Sequence, residues 1–142
     1  MEDKFNLKRF IDAQSRAYEN AFSEIKNGKK QSHWMWYVFP QFQGLGRSSI
    51  SERYAITSKE EAVCYLNHPI LGLRLKEITI QFLSIENKTA YDVLGEPNDL
   101  KIKSSMTLFD TIQSDNPLFK SVLEKYFNGD RCKHTIRLLE IK

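Results

Sequence analysis

Residues able to do chemistry gather at two places in this 142-residue chain. Gly44-Leu45-Gly46-Arg47-Ser48-Ser49 joins a flexible backbone, a guanidinium and two hydroxyls to the start of a helix that Ser49 would cap. Such a combination suits an anion, because helix N-termini expose amides and positive partial charge and Arg pairs with phosphate or carboxylate in a bidentate fork. The full phosphate-loop and dinucleotide patterns are absent, so a tight turn carrying a surface arginine is the competing reading. Just upstream, His33-Trp34-Met35-Trp36-Tyr37-Val38-Phe39 holds both tryptophans. Trp34 and Trp36 could stack on a base or sugar ring, and His33 could exchange a proton near neutral pH. Burial in the core competes for both tryptophans, and a step of two would not put both on one pocket wall.

A second polar group lies further on. Lys101, Ser104 and Ser105 share one face of a helix whose remaining circumference is taken by Leu100, Ile102, Met106 and Phe109. That helix should be largely enclosed, and its polar stripe needs partners, either a core hydrogen-bond network or a ligand. His68 precedes Pro69 at a helix junction, where capping competes with catalysis, and His134 reads as a surface residue. No HExxH pair, calcium loop or nucleophile elbow occurs, so no metal or cofactor is expected. Cys64 and Cys132 have neither CxxC nor zinc spacing and read as ordinary thiols of a reduced compartment.

Helices must position these residues. Asn6 can cap a first helix of about 20 residues, with Phe5 and Phe10 as a hydrophobic staple, an apolar face through Leu7, Phe10, Ile11, Gln14, Tyr18, Ala21, Phe22 and Ile25, and a stop at Asn27-Gly28. Lys26, Lys29 and Lys30 read as solvated charges at that carbonyl end. Ser49 to Glu52 and Ser58 to Glu61 match the capping box, and Pro69 suits the first turn of a long helix with Leu71, Leu75, Ile78, Phe82 and Leu83. Thr89 to Asp92 resembles another box, Asn98 and Asn116 can cap two more helices, Asn128-Gly129 ends the second of these, and Asp130 caps a last segment with Ile136 and Leu139. Ser32 to Phe39 has strand propensity, yet Ser32 could equally cap a short helix that Pro40 ends; local rules leave both open.

Composition agrees. Gly and Pro supply only 10 of 142 residues, about 7% against an average near 12%, too few for an all-β sandwich. Charge is mild, +3 from 21 basic and 18 acidic residues. The chain therefore reads as all-α, a single compact domain over residues 1–142 of about seven or eight helices, with nucleic acid an unfavoured partner. The longest apolar run, Trp34 to Pro40, is far below a membrane span, and the start, Met1-Glu2-Asp3-Lys4, is charged, so a cytoplasmic location and no membrane partner are expected.

With these residues in view, the chain resembles the bacterial family catalogued as domain of unknown function 1810, which includes mycobacterial conserved hypothetical proteins. The resemblance runs almost end to end. It is carried by Phe5 to Phe10 with Ala13-Gln14, by Ser32-His33-Trp34-Met35-Trp36 through Phe39-Pro40-Gln41, by Gly44 to Ser48 followed by Tyr54-Ala55-Ile56, by His68-Pro69 and Leu71-Gly72, and by Asp99-Leu100-Lys101 with Ser104 and Met106 to Phe109. It implies an all-helical domain, which would make Ser32 to Phe39 helical, and no established activity.

Because that signature includes His33, Trp34, Trp36, Gln41, Arg47, His68, Lys101 and Ser104 as well as apolar positions, it implies a shared pocket. The expected ligand is a small anionic metabolite such as a nucleotide or sugar phosphate. Arg47 and Lys101 would pair with the anion, Gly44 and Gly46 would let the backbone approach, and Trp34 or Trp36 would cover a ring. For an enzyme, His33 would be the general acid or base, with Gln41 or Ser104 orienting water or substrate. The rival is a protein-interaction module presenting the aromatic segment or the basic helix ends to a partner.

Overall fold

A computed structural model describes residues 3–141, leaving outside Lys142 and the first two residues, Met1 and Glu2, of the charged start. Nine helices occur among the described residues: α1 (Lys8–Lys26), α2 (Met35–Val38), α3 (Ser49–Arg53), α4 (Lys59–Asn67), α5 (Leu71–Leu83), α6 (Ala90–Leu94), α7 (Asn98–Ile112), α8 (Pro117–Phe127) and α9 (Lys133–Ile141). The ninth beyond the expected seven or eight is α2, the single turn inside the segment that local propensity left open. Pro40 limits its length, since the residue before a proline avoids helical backbone and Phe39 is non-helical. No strand forms among the described residues; one parallel bridge, Phe42 with Ile56, ties the loop after α2 to the approach to α4. Its bonds run from Ile56 N to Gln41 O at 2.9 Å and from Gln43 N to Ile56 O at 2.8 Å.

Several helix ends follow local chemistry. Thr89 and Asp92 make both bonds of a capping box, Asn116 accepts from Leu118 N with Pro117 in the first turn, and Asn128 adopts the left-handed backbone that closes α8. Other ends differ from the sequence reading. Asn6 is left-handed (φ 52°) and does not cap α1; the Asp3 carboxylate accepts from Leu7 N (2.8 Å) and Lys8 N (3.0 Å) instead. An ionised acceptor is the stronger partner for first-turn amides, and Asn tolerates the left-handed turn that brings Asp3 there. Ser48 rather than Ser49 caps α3. Asn98 sits inside α7 and donates to Leu94 O, while Asp130 pairs with Lys103, so Cys132 takes the place before α9.

One core joins these helices. α7 lies at its centre against α4, α6, α8 and α9, while α5 packs on α1, α4 and α8. Residues Ile102 and Ser104 to Asp110 of α7 are all buried, as an enclosed helix requires. An aromatic chain crosses the interior: Phe10 meets Tyr65 edge-on at 5.1 Å, Tyr65 meets Phe109 at 5.6 Å, and Phe109 meets Phe119 at 5.8 Å. These contacts link α1, α4, α7 and α8. Among the described residues, no helix is long and apolar enough to cross a membrane.

Arg9 and Glu61 close the N-terminal side. Arg9 donates to the carbonyls of Phe5, Asn6, Arg53 and Ala55, and its Nη2 meets Glu61 Oε2 at 2.8 Å. Glu61 Oε1 accepts from the Thr57 amide and hydroxyl, both at 2.9 Å. The pair is nearly enclosed, with side chains 12% and 2% exposed. Arg9→Met should therefore cost about 3–5 kcal/mol, because it strands a buried carboxylate. Glu61→Gln added to it should return at least half of that loss in urea denaturation. A cost for Arg9→Met near zero would show that the ion pair does not hold this corner.

Candidate anion-binding site

The aromatic segment is set by a residue eight positions before it. Glu24, in the last two turns of α1, accepts from Gln31 N (2.7 Å), Ser32 N (2.9 Å), Ser32 Oγ (2.6 Å) and Trp34 Nε1 (2.9 Å). Burial alone would raise this carboxyl, but those four donors outweigh it and bring its pKa down to about 2. With its indole N–H committed, Trp34 turns inward: it is 1% exposed and its ring lies 6.2 Å from Phe39. Trp34 is thus a core anchor that also forms part of the wall of a hollow beside Trp36. Trp36, two residues on, points the other way and stays half-buried.

Two adjoining hollows flank Trp36. The larger, about 400 Å³, is lined by Trp36, Gln41, Leu45, Gly46, Arg47, Ser48, Pro97, Leu100, Lys101 and Ser104. The smaller, about 280 Å³, shares Trp36, Pro97 and Lys101 and adds Lys30, His33, Tyr37, Ile50 and Asn98 among its walls. Among the described residues, no carboxylate lines either hollow. Lys101 Nζ sits 4.3 Å from the centre of the Trp36 ring and has neither a carboxylate nor a hydrogen-bond acceptor among the described residues. Burial lowers its pKa from the usual lysine value. Arg47 is exposed at the mouth, and Gln41, only 4% exposed, leaves its Nε2 without a partner.

Gly46 fixes the shape of this wall. A Cβ there would stand 2.6 Å from Ser51 Cβ and 2.7 Å from the far edge of Trp36, so only glycine lets the loop lie against the indole. The Ser48 hydroxyl accepts from Ser51 N, and α3 is five residues long, so the helix start foreseen as an anion cradle spends one of its few amides on its own cap.

Six of the residues singled out from sequence therefore meet: Trp36, Gln41, Gly46, Arg47, Lys101 and Ser104. His33 lies across Trp36 in the smaller hollow. Ser104 is partly committed, donating to Leu100 O (3.1 Å) and Cys132 Sγ (3.2 Å). Two residues are elsewhere. Gly44 supplies a left-handed turn (φ 104°) facing Leu138, and His68 Nδ1 accepts from Ile70 N and Leu71 N at the start of α5, the capping role that competed with catalysis.

Lys30 also departs from expectation. Instead of a solvated cap it is half-buried, donates to Ser32 O and lies 5.1 Å from the Trp34 ring. Burial lowers its pKa; Glu24 raises it and Lys101 lowers it further. Sequence reasoning missed Glu24 and Pro97 altogether. Glu24 has no local motif, since its partners follow only after the chain reverses beyond Gly28.

A model of the family described as protein of unknown function, domain of unknown function 1810, matches residues 4–139. The crystal structure of the conserved hypothetical protein Rv1873 from Mycobacterium tuberculosis is similar over 99% of this chain and 100% of that one, with 43% identity and a TM-score of 0.97. No curated protein matches the chain.

Glu24 makes the segment sensitive to acid. Its folded pKa lies below the ordinary glutamate value of 4.5, so its contribution is present above about pH 4.5 and is lost as pH falls toward about 2. Discounted for its partial exposure, Glu24→Gln should cost about 1–2 kcal/mol at pH 7 in urea denaturation followed by tryptophan emission. The gap between variant and wild type should close as pH falls through that window; a gap that is constant with pH would contradict the assignment.

Proposed function

The chain belongs to the domain of unknown function 1810 family, and from that premise we propose that it binds a small cytoplasmic anion, a nucleotide or sugar phosphate, in the hollow between Trp36, Arg47 and Lys101. One observation carries this reading: three donors, Arg47, Lys101 and the Gln41 amide, line one concave surface without an acceptor or carboxylate among the described residues. A buried amide left unpaired costs about 1–3 kcal/mol, and unneutralised cations beside it add repulsion. An anion relieves both.

Arg47 gives the fork that pairs with phosphate or carboxylate, Lys101 adds a second positive charge, and Gln41 Nε2 donates from the floor. The exposed face of Trp36 covers the ring or apolar part of the ligand. A volume near 400 Å³ is in the range of small-ligand pockets. His33 lies in the adjoining hollow, and its imidazole would serve as general acid or base if chemistry follows binding.

A protein partner is the second reading, favoured by Ile50 and Leu100, which are 45% and 57% exposed beside the hollows. Thermal unfolding separates the two. Inorganic phosphate, nucleoside monophosphates and sugar phosphates, each beside its uncharged counterpart, should include an anion that raises the melting temperature by several degrees. Ligand at a hundred times its Kd stabilises by about 2.7 kcal/mol. Arg47→Ala should keep the unliganded melting temperature, because Arg47 is exposed and makes no side-chain bond among the described residues, yet lose the shift. An absence of any shift across these anions would turn the assignment toward the partner reading.

A further inference from the structure

Lys101 differs from the other lysines that touch aromatic rings in the described structure. Lys103 and Lys125 have protein acceptors, Asp130 and backbone carbonyls respectively, and Lys4 pairs with Glu60. Lys101 has none, although it is half-buried on the ridge between two hollows. Its Nζ lies on the Trp36 ring, and it shares one hollow with Arg47 and the other with Lys30 and His33. A lysine in an apolar wall beside another cation is the setting in which an amine gives up its proton and becomes a nucleophile. The Trp36 face favours the ammonium form, but desolvation opposes it, and the amine's pKa falls below the usual lysine value.

We infer that Lys101 is a carbonyl-reactive amine, forming an imine with a small aldehyde or ketone whose anionic group is held by Arg47. This rests on the anion-binding reading and names the ligand's second functional group. The free amine nitrogen attacks the carbonyl carbon while the oxygen takes up a proton. The amine proton is then lost, the hydroxyl leaves as water, and a C=N bond replaces C=O without any change of oxidation state. Gln41 Nε2, the buried donor without a partner, would hydrogen-bond the oxygen as it gains charge. Once protonated, the imine restores the positive charge that the free amine lacked, while Arg47 holds the anion during the attack. A reversible covalent bond of this kind accounts for an amine placed where an ion pair would otherwise need a carboxylate.

The test is reductive trapping on the whole protein. Wild type is treated with limiting glyoxylate and cyanoborohydride at neutral pH, and modified lysines are located by peptide mass mapping, with uncharged glycolaldehyde in parallel. Lys101 should be modified several-fold faster than the mean of the other lysines, as expected of a half-buried amine whose pKa is lowered. Inorganic phosphate should slow that reaction, and Arg47→Ala should remove the preference for glyoxylate over glycolaldehyde. Lys101→Arg removes the primary amine, so the selective adduct should disappear. If anions stabilise the protein but glyoxylate spreads evenly over the lysines, the imine assignment is overturned and the anion site stands. If Lys101 reacts selectively, but equally with both aldehydes and without competition from phosphate, the anion site fails and takes the assigned carbonyl class with it.

Discussion

A single half-buried carboxylate organises the region on which function depends. Glu24 gathers two backbone amides, a hydroxyl and an indole N–H from one short stretch, and each bond removes a degree of freedom from the chain between α1 and α2. With its N–H satisfied, Trp34 can be buried at no polar cost, and its burial decides the direction of its neighbours. Trp36 is then forced outward, to become the wall shared by both hollows. The bridge at Gln41 and Ile56 fixes the other end of the segment, so the Gln41 side chain is carried by a backbone that is itself bonded. The site thus stands on rigid supports even though α2 is one turn long.

α7 supplies the facing wall by a different principle. Its middle is buried on nearly every side; Thr107 donates to Lys103 O and receives from Cys132 N, while the buried Ser105 hydroxyl has no partner among the described residues. Cys132 is buried enough to raise its pKa, but the Ser104 hydroxyl and the donors of Thr135 and His134 bring it below the usual thiol value. These contacts dock the start of α9 on α7 and draw Ser104 away from the hollow. The first turns of α7 leave the core, where Leu100 is exposed and Lys101 half-buried. The helix is anchored along its interior and presents its N-terminal end.

How much of this was legible in the sequence followed the range of each interaction. Helix ends at Thr89, Asn116 and Asn128 were legible because the bonds that make them lie within three or four residues. At Asn6, Ser49 and Asn98 the same residue types were present, but a stronger or better-placed acceptor next to them won. The segment from Ser32 to Phe39 was undecidable from local propensity, because its fate depends on Glu24 across a chain reversal, and the family resemblance resolved it. In the site, the loop at Gly46 and Arg47, Gln41 and the stripe at Lys101 and Ser104 were identified separately; only the fold shows that they line one surface. The division of labour between Trp34 and Trp36 was legible only as an alternation. Arg9 and Glu61, 52 residues apart, left no trace in any local pattern.

The placement of charge shows where this fold departs from a purely structural solution. Elsewhere its enclosed charges are paired: Arg9 with Glu61, and Arg131 with Asp110. Around Trp36 the rule is suspended. Lys101 lacks a counter-ion, Lys30 is close enough to be felt by it, and a buried amide lacks an acceptor. A hydrophobic residue at position 101 would pack against Trp36 without desolvating a charge, so stability alone does not call for a lysine there. Each of these groups is unfavourable alone and becomes favourable together when an electron-rich group enters among them. Local costs concentrated at one concave surface are what a binding site requires, since the free energy withheld during folding is released on binding.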